Sequence, residues 1–443
     1  MPGADRNPSR VTPRPLVRSL TRALQPGTPI DPVEVVGDQG FYFKTAELVL
    51  AGRGRAIELE LPLGLSDPRA LANASRRLRT LKSDDQLRVP GTGPLAFGSL
   101  AFERSSPMKL TVPSVLYGTT SSGDEWVTVV GEDPPSVSRD WLVEQLVPPP
   151  SPARPEPSIA RLESLPADYI GCVRRAKGEI SAGSMKKVVL ARRLRARSTA
   201  APRPAAVLRN LADAEPGSTA FLFKDLERAF VGASPELLMR RRGASVLSHP
   251  LAGTLALADP AGETGHALLA SRKDVEEHEL VVQDIVTRLS PMVTELTVAE
   301  PEAVVLATMA HLGTAIQGAL GAGANRAPSA LDLVAALHPT PAVGGVPTEP
   351  ALRLIAALEP APRDRWAGPV GWLDARGDGD WVIGIRSAQL ERSLATIWAG
   401  AGIVAASDPE AELAETSVKL APVLAAVFPR ARSAMEACWT ASP

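Results

Sequence analysis

Residues 368–427 read GPVGWLDARGDGDWVIGIRSAQLERSLATIWAGAGIVAASDPEAELAETSVKLAPVLAAV, and the order of patterns within them separates two fold classes. Segments 368–374, 380–390 and 394–399 carry β-type residues and are predicted as consecutive strands, the last one apolar and buried. Gly400-Ala401-Gly402-Ile403-Val404-Ala405 then matches GxGxxA. A dinucleotide fold would need the helix to open within those glycines, and an acidic residue about 20 positions on, after a further strand. Instead the helix signal comes late, with Asp408 as N-cap and Pro409 in the first turn, and an Ala/Leu/Val face runs to about Val427. No strand pattern follows. The nucleotide reading fails, and strands followed by helices without strict βαβ alternation predict an α+β fold. The glycines read as a turn whose bare N–H groups could face a carboxylate, although turn geometry alone would also account for them.

Further toward the N-terminus, FYFKTAELVLAGRGRAIELELP (41–62) and GPLAFGSLAFE (93–103) read as strands, and 167–182, 203–214 and 267–289 read as helices. Six of the eleven residues in 147–157 are Pro, which marks a linker or surface crossing over 148–157. The expected organisation is a basic, loosely ordered tail over 1–30, a first part over 31–147, and the main functional region over 158–430. The tail is rich in Arg and Pro and lacks the apolar core of a secretory signal; a transit peptide is the other reading.

With 443 residues, of which 44% are hydrophobic, the chain can bury a large core. Lys+Arg total 48 and Asp+Glu 49, and aromatic residues are limited to 7 Trp, 3 Tyr and 8 Phe. There is neither a basic field nor a stacking platform for nucleic acid, and no apolar run long enough to span a membrane. Two distant cysteines, Cys172 and Cys438, exclude a disulfide framework and a cysteine zinc site. They fit a reducing, cytoplasmic setting.

Several residues carry chemistry. His278-Glu279 suggests HExxH, but Val282 stands where the second His should be, so that zinc motif fails. The same helix offers Asp274 and Glu277 three apart on one face, and the last helix offers Glu412 and Glu415. Carboxylates from two helices plus waters form the hard-oxygen environment that Mg²⁺ prefers, although acidic pairs of this spacing are more often solvated surface. Lys187 begins an apolar strand-like run, KVVLAR (187–192), where burial would favour a general base and snorkelling is the plainer alternative. Arg386 interrupts the run IGIRSA (383–388); its planar fork suits a carboxylate, with an internal ion pair as the alternative. Ser234-Pro235-Glu236 reads as a helix start on capping grounds. The patterns taken alone describe a site for an anionic small molecule with Mg²⁺.

Nine blocks in order resemble the chorismate-utilising enzymes, and among them the isochorismate synthase branch: KVVLAR (187–192), GASPELL (232–238), HPLAGT (249–254), KDVEEHELV (273–281), HLGTAIQG (311–318), LHPTPAVGGVP (337–347), GPVGW (368–372), IRSAQL (385–390) and AGAGIVAASDPEAELAETSVKL (399–420). The resemblance implies large antiparallel sheets flanked by helices, as in anthranilate synthase component I, and Mg²⁺-dependent conversion of chorismate to isochorismate. Carried over by position, Lys187 is the base that activates water and Glu236 the acid that protonates the departing hydroxyl. Glu277 and Glu415 hold the metal, with Asp274 and Glu412 in its water shell. Arg386 and the backbone near Gly402 fix substrate carboxylates, Gly253 and Thr254 lie beside the ring, and His338 lines the pocket.

Lys187, and a PTPAVGGVP block (339–347) where ammonia-using branches carry GTLSGAPK-like residues, favour water as nucleophile. They imply a monomer with no obligatory glutamine amidotransferase subunit. Two departures bear on the pocket. Leu255-Ala256-Leu257 are apolar where relatives place a basic residue, and Trp366 replaces the usual Tyr or Phe. Salicylate synthase, which goes on to expel pyruvate, is the alternative; a non-catalytic chorismate-binding paralogue would be expected to lack Lys187, Glu236 or a metal carboxylate.

Overall fold

A computed structural model describes residues 17–37, 39–132, 134, 137–146, 156–163, 166–257, 263–321 and 327–430. Two large sheets, one of 13 strands and one of nine, dominate it, with a three-stranded sheet beside them. Among the described strands every pairing is antiparallel except Arg18–Ala23 with Lys82–Asp85. None of the described helices is long and apolar enough to cross a membrane.

The two-residue alternation of strands builds the layers. In Gln39–Lys44, Phe41 and Phe43 point one way and Tyr42 the other. The phenylalanines join Phe97, Trp126, Phe221, Val370 and Trp372 in an apolar layer between the two large sheets. Tyr42 joins the opposite face of the 13-stranded sheet, which is covered by helices Pro204–Ala214 and Pro409–Val427. Helices Pro68–Thr80, Arg272–Leu289, Ala330–Leu337 and Thr348–Leu358 contribute to the remaining core, with the nine-stranded sheet.

Strands from before and after the proline-rich stretch share both sheets: Gln39–Lys44 pairs with Thr219–Asp225, and Leu95–Ser99 with Pro369–Asp374. Most of that stretch, 147–155, lies outside the described residues, as do residues 1–16 of the expected tail. Arg18–Ala23, also expected in that tail, is instead a strand with Ser19 and Thr21 buried, because its register against Glu125–Gly131 supplies six residue pairs. The expected helix over 267–289 is two, Glu263–Ala270 and Arg272–Leu289; the Ser271 side chain accepts from Asp274 N and caps the second.

Three local expectations are corrected where the site forms. Segment 380–390 is not one strand: Gly379–Ile383 belongs to the nine-stranded sheet and Ser387–Glu391 to the 13-stranded one. Ser234-Pro235-Glu236 starts no helix but carries the chain from Arg228–Ser234 in one large sheet to Leu237–Arg242 in the other. Gly400 and Gly402 form no turn; both lie inside the strand Leu394–Ile403. Two crossings between sheets therefore converge beside a strand thinned by glycine.

Candidate active site

Lys187 opens the strand Lys187–Ser198 and is fully buried. Its Nζ lies 3.0 Å from Glu277 Oε1, an ion pair whose alignment falls short of a hydrogen bond. Glu277 comes from Arg272–Leu289, on the same buried stripe as His278, Val281 and Ile285. Gly402 makes this contact possible. A Cβ there would stand 2.2 Å from Glu277 Oε1 and 3.0 Å from Lys187 Cε, so only a residue without a side chain lets the carboxylate lie against the strand.

Glu236 sits on the crossing at 234–236, where Ile383 N donates to its carbonyl oxygen at 3.1 Å. Its side chain is buried, and burial raises its pKa from 4.5 to about 8 against the opposing charges of Lys187, Lys419 and Arg386. At neutral pH it is a carboxylic acid with a proton to give.

Arg386 occupies the second crossing with φ of 50°. No carboxylate lies within ion-pair distance of it among the described residues. Its Nη2 donates instead to His311 Nε2 at 3.2 Å and contacts Met309 Sδ at 2.6 Å. Burial lowers its pKa to about 10, which still leaves it charged. A guanidinium can only donate, so His311 Nε2 must be the acceptor, and Nδ1 carries the proton toward Gly253 O at 3.0 Å. That neutral tautomer agrees with a His311 pKa held well below its usual value, chiefly by burial and then by Arg386. The internal ion pair that could have explained Arg386 is therefore not the arrangement found among the described residues.

Glu236, Glu277, Arg386, Gly402 and Glu415 line one cavity, together with Gly253, Thr254, Trp366 and Lys419. Its charged side chains leave only about 70 Å³ open. Larger cavities exist elsewhere, one of about 430 Å³, lined by other residues. Lys187 sits just behind the lining. Gly253 takes φ of +73° beside Asp274, and Thr254 Oγ1 lies 3.2 Å from His311 Nδ1.

Other expected residues are placed differently. His338 does not line the cavity. It is wholly buried with Nε2 on Phe102 O at 2.9 Å, below the segment that presents Ala342 and Val343. Asp274 is engaged in capping with Ser271 and reaches Thr254 N at 3.4 Å, and Glu412 is buried against Lys273 at 2.9 Å. Neither lines the cavity. Leu255 packs with Leu268, Ala310 and Leu312 rather than on the pocket wall, because strand alternation turns it away from Thr254. Trp366 does line the cavity and stacks on Trp398, with ring centroids 6.0 Å apart.

Among the described residues no three His, Cys, Asp or Glu side chains converge tightly enough to hold a metal alone. The donor chemistry nonetheless fits a hard dication. Glu277 and Glu415, from two helices, line one cavity, each balanced by a lysine, Lys187 at 3.0 Å and Lys419 at 2.5 Å.

Three residues escaped sequence reasoning. His311 lies in a quoted block but no spacing marks it. Lys419 forms an i,i+4 pair with Glu415, a pattern that ordinarily signals solvated surface. Arg363, also buried, donates to Val343 O at 2.6 Å and Val189 O at 2.8 Å, tying two cavity-lining segments together.

The family profile described as chorismate binding enzyme matches residues 14–428. The putative isochorismate synthase MenF of Mycobacterium tuberculosis is 39% identical over 387 residues, which cover 83% of this chain and 96% of that protein. Among solved structures, the putative 2,3-dihydroxybenzoate-specific isochorismate synthase DhbC of Bacillus anthracis superposes with a TM-score of 0.74 at 30% identity, covering 89% of this chain and 98% of that one. MenF, the menaquinone-specific isochorismate synthase of Escherichia coli, gives 0.78 at 25% identity, covering 93% and 95%.

Proposed function

The chain belongs to the chorismate-binding enzyme family, and from that premise we propose that it is an isochorismate synthase, an isomerase that adds water at C2 of chorismate and expels the C4 hydroxyl. The observation that carries this reading is the pairing in one cavity of a carboxylic acid that keeps its proton to about pH 8, Glu236, with a guanidinium, Arg386, that has no carboxylate in ion-pair contact among the described residues. The first suits a reaction whose leaving group is hydroxide; the second suits a substrate that brings carboxylates.

In the proposed mechanism Arg386, oriented by neutral His311, holds a substrate carboxylate. Lys187 accepts a proton from the attacking water, and Glu236 delivers its own to the departing hydroxyl as the ring double bonds shift. One proton is taken up and one released, so the net change is isomerisation. Each acid or base is worth roughly 10²–10⁴ in rate. Glu277 and Glu415 would hold the Mg²⁺, with Asp274 and Glu412 behind them; when bound, the ion would supply positive charge toward the substrate's ring carboxylate. Water as the nucleophile removes the need for an amidotransferase subunit.

Proton NMR of chorismate with the purified protein, with and without Mg²⁺, tests the reading. Isochorismate accumulating toward an equilibrium mixture only with metal supports it. Salicylate plus pyruvate would replace it with the salicylate synthase reading, which Trp366 disfavours because it puts an indole, without a hydroxyl, at the cavity wall. Unchanged chorismate would refute catalysis altogether.

A further inference from the structure

A second cavity, of about 320 Å³, opens at the edge of the cleft between the two large sheets. One wall is aromatic. Phe41 and Phe97 stack with centroids 5.2 Å apart and planes within 11°, and Phe223 meets them edge-on at 5.5 and 6.3 Å. The opposite chemistry comes from the loop after Thr348–Leu358, where Arg365 lines the cavity beside Asp364.

The charges around it are sorted. Arg55 is paired to Asp225 at 2.7 Å and to Glu58 at 3.3 Å, and Lys109 to Glu58 at 2.6 Å. Arg365 is different: half-buried, its guanidinium makes neither an ion pair nor a hydrogen bond among the described residues, and partial burial lowers its pKa. Two polar atoms of the lining, Ser99 Oγ and Arg55 Nε, are shielded from solvent without a partner among the described residues. Buried donors of this kind are normally satisfied. Flat apolar rings on one side, with an unpartnered planar cation and a free hydroxyl on the other, match a flat ring bearing one carboxylate.

We propose that this cavity is a second ligand site for a small aromatic carboxylate, separate from the catalytic cavity. The ring lies against the phenylalanines and the carboxylate is taken by Arg365, with Ser99 available to a ring substituent or to a carboxylate oxygen. The volume falls within the range of small-molecule pockets. The next residue, Trp366, lines the catalytic cavity, so the two sites share a loop.

Binding of benzoate to the full chain, followed by saturation-transfer NMR and calorimetry, tests the proposal without any need for turnover. Saturable binding at millimolar concentration is expected, weakened roughly tenfold or more by Arg365→Gln and removed by Ala101→Leu, which fills the cavity from another wall. Arg386→Gln, in the catalytic cavity, should leave it intact. Absence of saturable binding to the wild type overturns the proposal. So does binding that survives Ala101→Leu yet disappears in Arg386→Gln, since the benzoate would then occupy the catalytic cavity. Ala101→Leu retains the arginine and keeps the test open if Arg365→Gln does not fold.

Discussion

Glu236→Gln should destroy activity and stabilise the fold, by an amount that depends on pH. Burial raises the Glu236 pKa from 4.5 to about 8. Below 4.5 the group is neutral in both folded and unfolded chains and contributes no pH dependence. Between 4.5 and about 8 the unfolded chain releases the proton while the folded chain retains it. The unfolded state then binds fewer protons, so stability falls as pH rises. The slope is about 1.4 kcal/mol per pH unit, which makes the loss about 3 kcal/mol at pH 7 and about 5 kcal/mol at the top of the window. Glutamine has no proton to lose, so the variant escapes this cost. Urea unfolding of both proteins across the window isolates Glu236, because every other titrating group is shared and cancels in the difference. The two stabilities should converge at the acid end and diverge steadily toward the alkaline end. A difference independent of pH, or one that favours the wild type as pH rises, would mean that Glu236 is ionised in the folded protein. The assignment of the general acid would fall with it. In the wild type the same titration should cut kcat/KM above about pH 8, as the proton-donating form disappears.

Lys187→Ala should lower kcat by at least roughly 10²–10⁴ with an unchanged circular dichroism spectrum; retained turnover would remove the general base. Gly402→Ala should depress activity and metal affinity together, because its Cβ would press on Glu277 and Lys187, and isothermal titration with Mg²⁺ reads the second effect directly. Glu415→Gln should raise the Mg²⁺ concentration needed for half-maximal rate roughly tenfold while leaving chorismate recognition by Arg386 in place. Arg386→Gln should act mainly on KM, by about 10- to 100-fold, the worth of a charge-assisted pair at about 1.5–3 kcal/mol; an effect confined to kcat would contradict a binding role.

The last helix was legible to the residue: Asp408 accepts from Ala411 N, Pro409 follows, and Val427 ends the element. Such caps are local signals, set by groups one turn apart. Lys187 and Arg386 were legible as charges placed where an apolar strand should continue. What stayed hidden depends on contacts distant in sequence. Ser-Pro-Glu has the same backbone preferences in a helix start and in an extended crossing, since proline fixes only its own φ and biases the residue before it. Gly400 and Gly402 looked like a turn because glycine usually marks one; at position 402 the need for glycine lies in Glu277 and Lys187, from other elements, and at 400 a Cβ would crowd Val189 and Trp366. His311 and Lys419 gave no signal that pointed to a role in the site. The role of each is defined by a partner whose position only the fold supplies, Arg386 for one and Glu415 with Gly400 O for the other.

A buried acid and a buried base close enough to feel each other would ordinarily neutralise by proton transfer, leaving a carboxylate beside an ammonium and no general acid. Here Lys187 already has a carboxylate at 3.0 Å, and it is Glu277, held there by the missing side chain at position 402. Glu236 is left with the weaker, more distant influence of three cations, and burial outweighs it. The lysine's contact is made by Glu277 and not by Glu236. Gly402, by carrying no side chain, thus admits the Glu277 carboxylate beside Lys187 and gives the lysine an acidic partner other than Glu236.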